Sequence, residues 1–374
     1  MRPLSIVMVS AGFWPAIGGA ERQALELSAA LAARGHRVTV LTRRVGASPA
    51  REKVRGVSVA RLPSPGGLLD APVFLAATFL WLLLHWVEWD AVHAHLAGSP
   101  ALGAALAGRL LGRPALVKLG GGRGIGELAV SSKTRLGRAK LRVLGLLRPH
   151  FLAVVPDLAE EAREFLGPVT IEVLPNGVDT ARFHPVDAAA KRALRAELGW
   201  GDEATVFLYT GRFSWEKRLP WFLELWLEAA GPDSRAALVG DGPERAAVED
   251  VAARSSGRVT VLPSREDVGN VYAAADVFVL PSVSEGLSNA LLEAMASGLA
   301  PLGSRVGGTG ETISDGTNGL LFERDDEAGL KAAIRRLDAE AGLAARLGAA
   351  ARAEVEACYA LDRVVARLEV LYRR

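Results

Sequence analysis

Short apolar runs recur along this chain at 4–10, 37–42, 57–62, 90–96, 114–119 and 151–155, then again at 205–209, 236–239, 259–262, 277–280 and 299–303. Helical stretches separate them, and no other feature restricts the fold so tightly. A strand apolar along its whole length is covered on both faces. Strands joined through helices pair in parallel, because each crossover returns the chain to the same end of the sheet. Two series therefore predict an α/β chain with two parallel-sheet domains. A length of 374 residues, half of them apolar, fits two cores better than one. Pro175, Gly177 and Pro185 mark the connecting segment, so the expected domains are 1–172 and 173–357. The last segment, 358–374, carries a helix expected to return to the first domain.

In such sheets ligands bind beyond the carboxyl ends of the strands, so the residues that follow each strand carry the functional information. The most specific stretch is 281–298. Pro281 ends the strand at 277–280, Ser288 is placed to cap a helix that starts at Asn289, and Gly298 stops that helix. Unpaired N–H groups at 288–290 favour an anion such as phosphate. Glu285 in the loop and Glu293 one turn into the helix bracket that anion site, where both can reach hydroxyls on either side of a diphosphate. A sugar nucleotide has that shape. Taken alone, Glu293 is equally a solvated helix residue.

Other loops contribute further polar groups. After the strand at 205–209 come Arg212 and Lys217, which can clamp a diphosphate by forked hydrogen bonds and as a point charge. Asp241, in Gly240-Asp241-Gly242, reads as the residue holding a structural turn. The loop 12–21, with Gly18 and Gly19 before a helix, permits close backbone approach to an anion, or is only a turn. His93 and His95 share one face of the strand at 90–96, but two ligands are too few for a metal, and none is expected. The strand ending at Leu119 leads into five glycines around Arg123, readable as an anion-binding nest or as a mobile loop.

Cys358 is the only cysteine, which excludes an internal disulfide. Only Met1, Arg2 and Pro3 precede the first strand, leaving no room for an export signal, and a cytoplasmic location is expected. Net charge is +2, but residues 1–150 hold 20 Lys and Arg against 7 Asp and Glu, so the first half is basic and expects an anionic partner. Within it, 131–150 carries Lys133, Arg135, Arg138, Lys140, Arg142 and Arg148 with no acid, interleaved with leucines, and reads as one basic amphipathic helix. No aromatic residue lies among those cations to stack a base, which argues against nucleic acid. The apolar segment 73–87 falls short of the ~20 residues that cross a bilayer and is expected to pack on the sheet or to lie at an interface. Peripheral docking on the inner membrane face is a further expectation.

A Glu, seven residues and a second Glu, as in Glu285 and Glu293, resembles the donor-site motif of the retaining family-4 glycosyltransferases. The flanking segments at 174–179, 209–218, 239–244, 259–319 and the loop at 12–21 are similar to the same family, so the resemblance spans nearly the whole chain. It implies a GT-B fold, two Rossmann-like domains facing across a cleft, and transfer of a sugar from a nucleoside diphosphate sugar to a hydroxyl acceptor with retention. The expected acceptor is a lipid-linked or cell-envelope glycan. On this resemblance Arg212 and Lys217 hold the donor diphosphate and Glu285 faces the transferred sugar. Ser288, Asn289, Ala290 and Gly19 line the donor site, Glu293 holds the ribose, and neither metal nor cofactor is required. His95 resembles an acceptor-side position. Where many members carry a His-Gly pair this chain has none, leaving Lys118 and Arg123 as the polar groups available. A non-catalytic sugar-nucleotide or anionic-glycan binding protein of the same fold therefore stays open. No glycine cluster fits G-x-G-x-x-G, since Arg245 stands where the third glycine of Gly240-Asp241-Gly242 is needed, and there is no P-loop Gly-Lys pair.

Overall fold

The computed structural model describes residues 2–15, 18–202, 204–265 and 267–374. Ala16 and Ile17 of the first glycine loop thus lie outside the described residues, as do Met1, Glu203 and Glu266. The chain forms two compact units, Met1–Gly177 with Leu361–Arg374, and Val178–Ala360.

The first unit is built on eight strands: β1 Ser5–Val9, β2 Arg37–Arg43, β3 Arg51–Val54, β4 Val57–Leu62, β5 Ala91–His95, β6 Ala115–Leu119, β7 His150–Ala153 and β8 Ile171–Val173. Their order is β3-β4-β2-β1-β5-β6-β7-β8, parallel except for the β3–β4 hairpin. β3 reads Arg-Glu-Lys-Val and lies at the edge, where charged side chains discourage pairing with another chain. Arg55 and Gly56, both at positive φ (48° and 81°), make the tight turn whose twist matches its strands. One core packs Ile6 and Met8 of β1 with Leu25, Leu27 and Leu31 of the helix Gly19–Ala33 and with Val364, Val365 and Leu368 of the helix Leu361–Leu371. The final helix therefore completes the first unit's core.

The apolar segment expected at 73–87 forms the helix Asp70–Leu84, continuous with a 3-10 turn at Gly67–Leu69. By length and composition alone, Gly67–Leu84 is apolar enough to cross a membrane, and only 17% of it is buried. It lies against the helix Ser99–Leu111, where a side chain at Gly103 would meet the Leu75 carbonyl. Only Phe74, Thr78 and Leu82 are fully buried, every fourth residue, so packing accounts for one stripe of the helix. The basic stretch differs from expectation only at its start: Ser131 and Ser132 end the helix Glu127–Ser132, and the basic amphipathic helix is Arg135–Leu147. Thr134 separates the two by leaving the helical region (φ −115°, ψ 151°) and capping the second helix, its Oγ1 accepting from the Gly137 N–H at 3.0 Å.

The second unit has six parallel strands, β9 Val206–Thr210, β10 Arg235–Val239, β11 Val259–Leu262, β12 Val277–Leu280, β13 Ala300–Ser304 and β14 Leu320–Phe322, in the order β11-β10-β9-β12-β13-β14. The order reverses between β9 and β12. Open α/β sheets bind ligands at such a reversal, beyond the carboxyl ends of the strands. The reversal in the first sheet lies between β1 and β5.

Candidate active site

In the second unit the loops after β9 and β12 meet. The Val283 N–H donates to the Glu216 carbonyl at 2.9 Å, tying the β12 loop to the 3-10 turn Trp215–Lys217. Across that junction Lys217 Nζ pairs with Glu285 Oε1, which also accepts from Ser282 Oγ at 2.6 Å. Glu285 is 9% exposed, and its main chain is fixed as well. Gly308 donates to the Glu285 carbonyl at 3.3 Å, and a Cβ on Gly307 would collide with that oxygen. A carboxylate this enclosed is costly without partners, and Lys217 and Ser282 supply them.

Ser288 caps the helix Asn289–Ala296 as expected, its Oγ accepting from the Leu291 N–H at 3.3 Å. Ser288, Asn289 and Ala290 are half-buried at the helix start. Glu293 is 5% exposed, which the solvated reading does not accommodate. Tyr272 donates to Glu293 Oε2 at 3.1 Å, and its hydroxyl also bonds Thr210 Oγ1 at 2.5 Å. Tyr272 and Thr210 thus hold one of the paired glutamates, and Ser282 the other. The sequence offered no signal for these roles beyond Tyr272 lying in a matching segment. Arg212 is exposed, while its backbone is locked: its carbonyl accepts from Tyr209 Oη at 2.9 Å. The turn after β10 backs the same loop, with Gly211 donating to Val239 (3.0 Å) and Phe213 to Asp241 (2.8 Å). Asp241 itself accepts from the Gly242 N–H at 2.7 Å, the turn-holding role read from sequence.

In the first unit Gly19 begins the helix Gly19–Ala33, with Glu21 accepting from the Gly18 N–H at 3.1 Å. His93 and His95 are buried and stacked at 4.6 Å, and His93 Nδ1 bonds Tyr372 Oη at 2.7 Å. Burial pushes His93 down to about 3 and His95 well below the usual histidine value, so both are neutral. Lys118, the register partner of His95, is pushed down to about 7 by burial. Arg123 does not join them. Its guanidinium bonds Asp157 (2.7 Å) and Glu164 (2.9 Å), and the Gly124 N–H donates to Glu161 at 2.9 Å. The anion held by this glycine loop is thus the protein's own acidic helix Pro156–Leu166. Glu127 went unnoticed in the sequence, although it is the one acid between Asp90 and Asp157. Its carboxylate takes the Ala97 N–H just beyond β5, and burial raises it to about 8.

Among the described residues no group of three His, Cys, Asp or Glu is arranged to hold a metal. Residues 17–182 match the family described as Glycosyltransferase Family 4, and residues 204–339 match Glycosyl transferases group 1. The chain is 30% identical over 278 residues to the Escherichia coli UDP-Gal:alpha-D-GlcNAc-diphosphoundecaprenol alpha-1,3-galactosyltransferase, covering 69% of each chain. It is 26% identical to the Bacillus anthracis N-acetyl-alpha-D-glucosaminyl L-malate synthase, covering 96% of this chain and 94% of that one. Among solved structures, sucrose-phosphate synthase from Thermosynechococcus elongatus superimposes with a TM-score of 0.79 at 23% identity, over 100% of this chain and 98% of that one. Anabaena HepE in complex with UDP-glucose gives 0.79 at 19%, over 99% and 100%. Both likenesses concern the fold, two parallel-sheet α/β domains of the GT-B class. With both halves matched and a relative at this identity over two thirds of its length, the chain belongs to the family-4 glycosyltransferases.

Proposed function

We propose that this glycosyltransferase moves a sugar from a nucleoside diphosphate sugar to a hydroxyl acceptor with retention at the anomeric carbon. One observation carries the reading: Lys217, Glu285 and the Ser288 helix cap gather at the reversal of the second sheet, with Glu293 one turn further on. In this reading Arg212, Lys217 and the N–H groups at 288–290 take the charge that develops on the leaving diphosphate, the main catalytic effect. Glu285 faces the transferred sugar while sharing Lys217 with the diphosphate, and Glu293 holds the ribose hydroxyls. The bond from the anomeric carbon to the phosphate oxygen breaks as the bond to the acceptor oxygen forms on the same face. The acceptor proton passes to the departing phosphate, so no protein nucleophile is needed. In the first unit Gly19 is assigned to the donor side, and His95 and Lys118 to the acceptor side.

Thermal-shift screening of UDP-, GDP- and ADP-sugars identifies the donor. Release of nucleoside diphosphate with an acceptor, and NMR of the product anomer, then test transfer and retention. An inverted product refutes the mechanism, and a donor that binds without ever turning over favours a non-catalytic binding protein.

The finer assignment is a lipid-linked acceptor reached from an anionic bilayer. Supporting it, Leu80 and Leu84 on Asp70–Leu84, Leu110 on Ser99–Leu111, and Leu136 and Leu146 on Arg135–Leu147 are exposed on three successively packed helices. Arg135, Arg138, Arg142 and Arg148 stand exposed beside them, whereas Lys140 turns inward to Ser131 Oγ at 2.9 Å. Each basic residue near such a surface contributes ~1 kcal/mol. Sedimentation with anionic vesicles at low salt should carry the protein down, and Glu at positions 135, 138 and 142 should abolish this. No binding by the intact chain would refute docking.

A further inference from the structure

One face of the first sheet changes character along its strands. On β5 the face presents Ala91, His93 and His95, and on β6 it presents Leu116 and Lys118, with His95 and Lys118 paired in register. Ala91 and Leu116 belong to the core shared with the helices Gly19–Ala33 and Leu361–Leu371. The polar members come last, at the carboxyl ends, beside the reversal of strand order between β1 and β5. Lys118 is only 7% exposed, and among the described residues burial alone, with no carboxylate, acts on its amine. His95, 4% exposed, has no partner at Nε2. Directly after His95 the chain turns at Leu96 with φ 72°, a left-handed conformation that a leucine rarely adopts. Buried ammonium groups are ordinarily paired, and buried imidazole nitrogens ordinarily bonded. Two such groups on adjacent strands, ~4.8 Å apart in the pairing direction, are spaced to reach the oxygens of one small anion.

We propose that Lys118 and His95 form an oxyanion subsite that takes a phosphoryl or carboxylate group carried by the acceptor. The proposal deepens the transferase reading and rests on its assignment of the acceptor to the first unit. Arg123 cannot serve here, because Asp157 and Glu164 hold it. Burial pushes Lys118 down to about 7 with no carboxylate opposing it. An arriving oxyanion favours the protonated amine, so binding on the alkaline side of neutrality draws a proton from solution.

Titration calorimetry with glycerol, glycerate and glycerol 3-phosphate tests this, because the three differ in the charged group they carry. The Arg212→Ala/Lys217→Ala chain is used so that the other unit's phosphate-binding cations are absent. At least one of the two anions should bind at one site per chain and glycerol should not. Adding Lys118→Met should weaken that binding about 10- to 100-fold, the scale for losing one charged hydrogen bond. Measured slightly above neutral pH in buffers of different protonation heat, binding should take up a proton, and Lys118→Arg should bind without uptake. Tighter binding of glycerol 3-phosphate assigns a phosphorylated acceptor, and tighter binding of glycerate a carboxylate-bearing one. Binding by neither anion, equal binding of glycerol, or anion binding indifferent to Lys118→Met overturns the subsite. Should the double variant not fold, comparing Lys118→Met with the otherwise intact chain still isolates the Lys118-dependent fraction. None of these titrations requires turnover, so failure of the subsite and failure of the transferase reading are told apart.

Discussion

Replacing Lys217 by Met removes one half of the ion pair at the centre of the second unit's site. Lys217 is 18% exposed and Glu285 9%, so the pair lies near the buried limit, where loss of one partner costs ~3–5 kcal/mol. Ser282 Oγ still donates to Glu285 at 2.6 Å and recovers part of that. The expected loss of stability is therefore ~2–3 kcal/mol. Glu285→Gln keeps the shape and the Ser282 bond, leaves the more exposed Lys217 able to reach water, and should cost about 1 kcal/mol. In the double variant neither charge is left without its partner, so its cost should fall below the sum by ~1–2 kcal/mol. Urea unfolding of the four proteins, followed by near-UV circular dichroism, measures the cycle. Turnover should behave differently: both single variants lose it, and the double variant, although no less stable than Lys217→Met alone, stays inactive. Costs that add to within ~0.5 kcal/mol would show that the pair is not coupled and refute the reasoning.

Glu293→Gln should weaken nucleoside diphosphate binding by ~1.5–3 kcal/mol, because a charged acceptor is lost, whereas Glu285→Gln should affect transfer more than nucleotide binding. Calorimetry with the nucleotide alone gives the contrast, and equal losses contradict the division of roles. Gly240→Ala places a Cβ against the Gly211 carbonyl and the Phe213 ring, so it should displace the Arg212 loop and destabilise by ~1–3 kcal/mol, read as a lower urea midpoint together with reduced turnover. Lys118→Met should stabilise the chain in a pH-dependent way. The folded-state value is lowered to about 7 from the ordinary 10.5, so the unfolded chain binds the extra proton between those limits and the intact protein gains stability as pH rises through them. The advantage of the Met variant should be greatest below pH about 7 and fade toward 10.5, and a pH-independent difference would contradict the burial of that amine.

Much of the fold was legible because each long buried strand announces itself as an apolar run. β3, β8 and β14 escaped: β3 is charged and held by its hairpin turn, while β8 and β14 have three residues each and pair only because a neighbouring strand is already in place. In the basic stretch only the helix start was misplaced, because Thr134 caps it and sets its first residue at Arg135. In the site, the spacing of Glu285 and Glu293 and the cap at Ser288 depend on residues close in sequence, and they were readable. Tyr272 under Glu293 and Tyr372 under His93 depend on residues distant in sequence, and they were not.

The sequence by itself determined two parallel α/β units and the loops that carry phosphate-binding chemistry, because strand period, helix caps and glycine turns are set by neighbours along the chain. Tertiary structure alone decided which charged groups remain available. Arg123 and Lys118 looked equivalent as cations beside a glycine run. Folding placed the first against Asp157 and Glu164 and carried the second inside, where no carboxylate among the described residues acts on it. Desolvation and pairing depend on what the rest of the chain brings to a side chain, and that is fixed only when the elements pack.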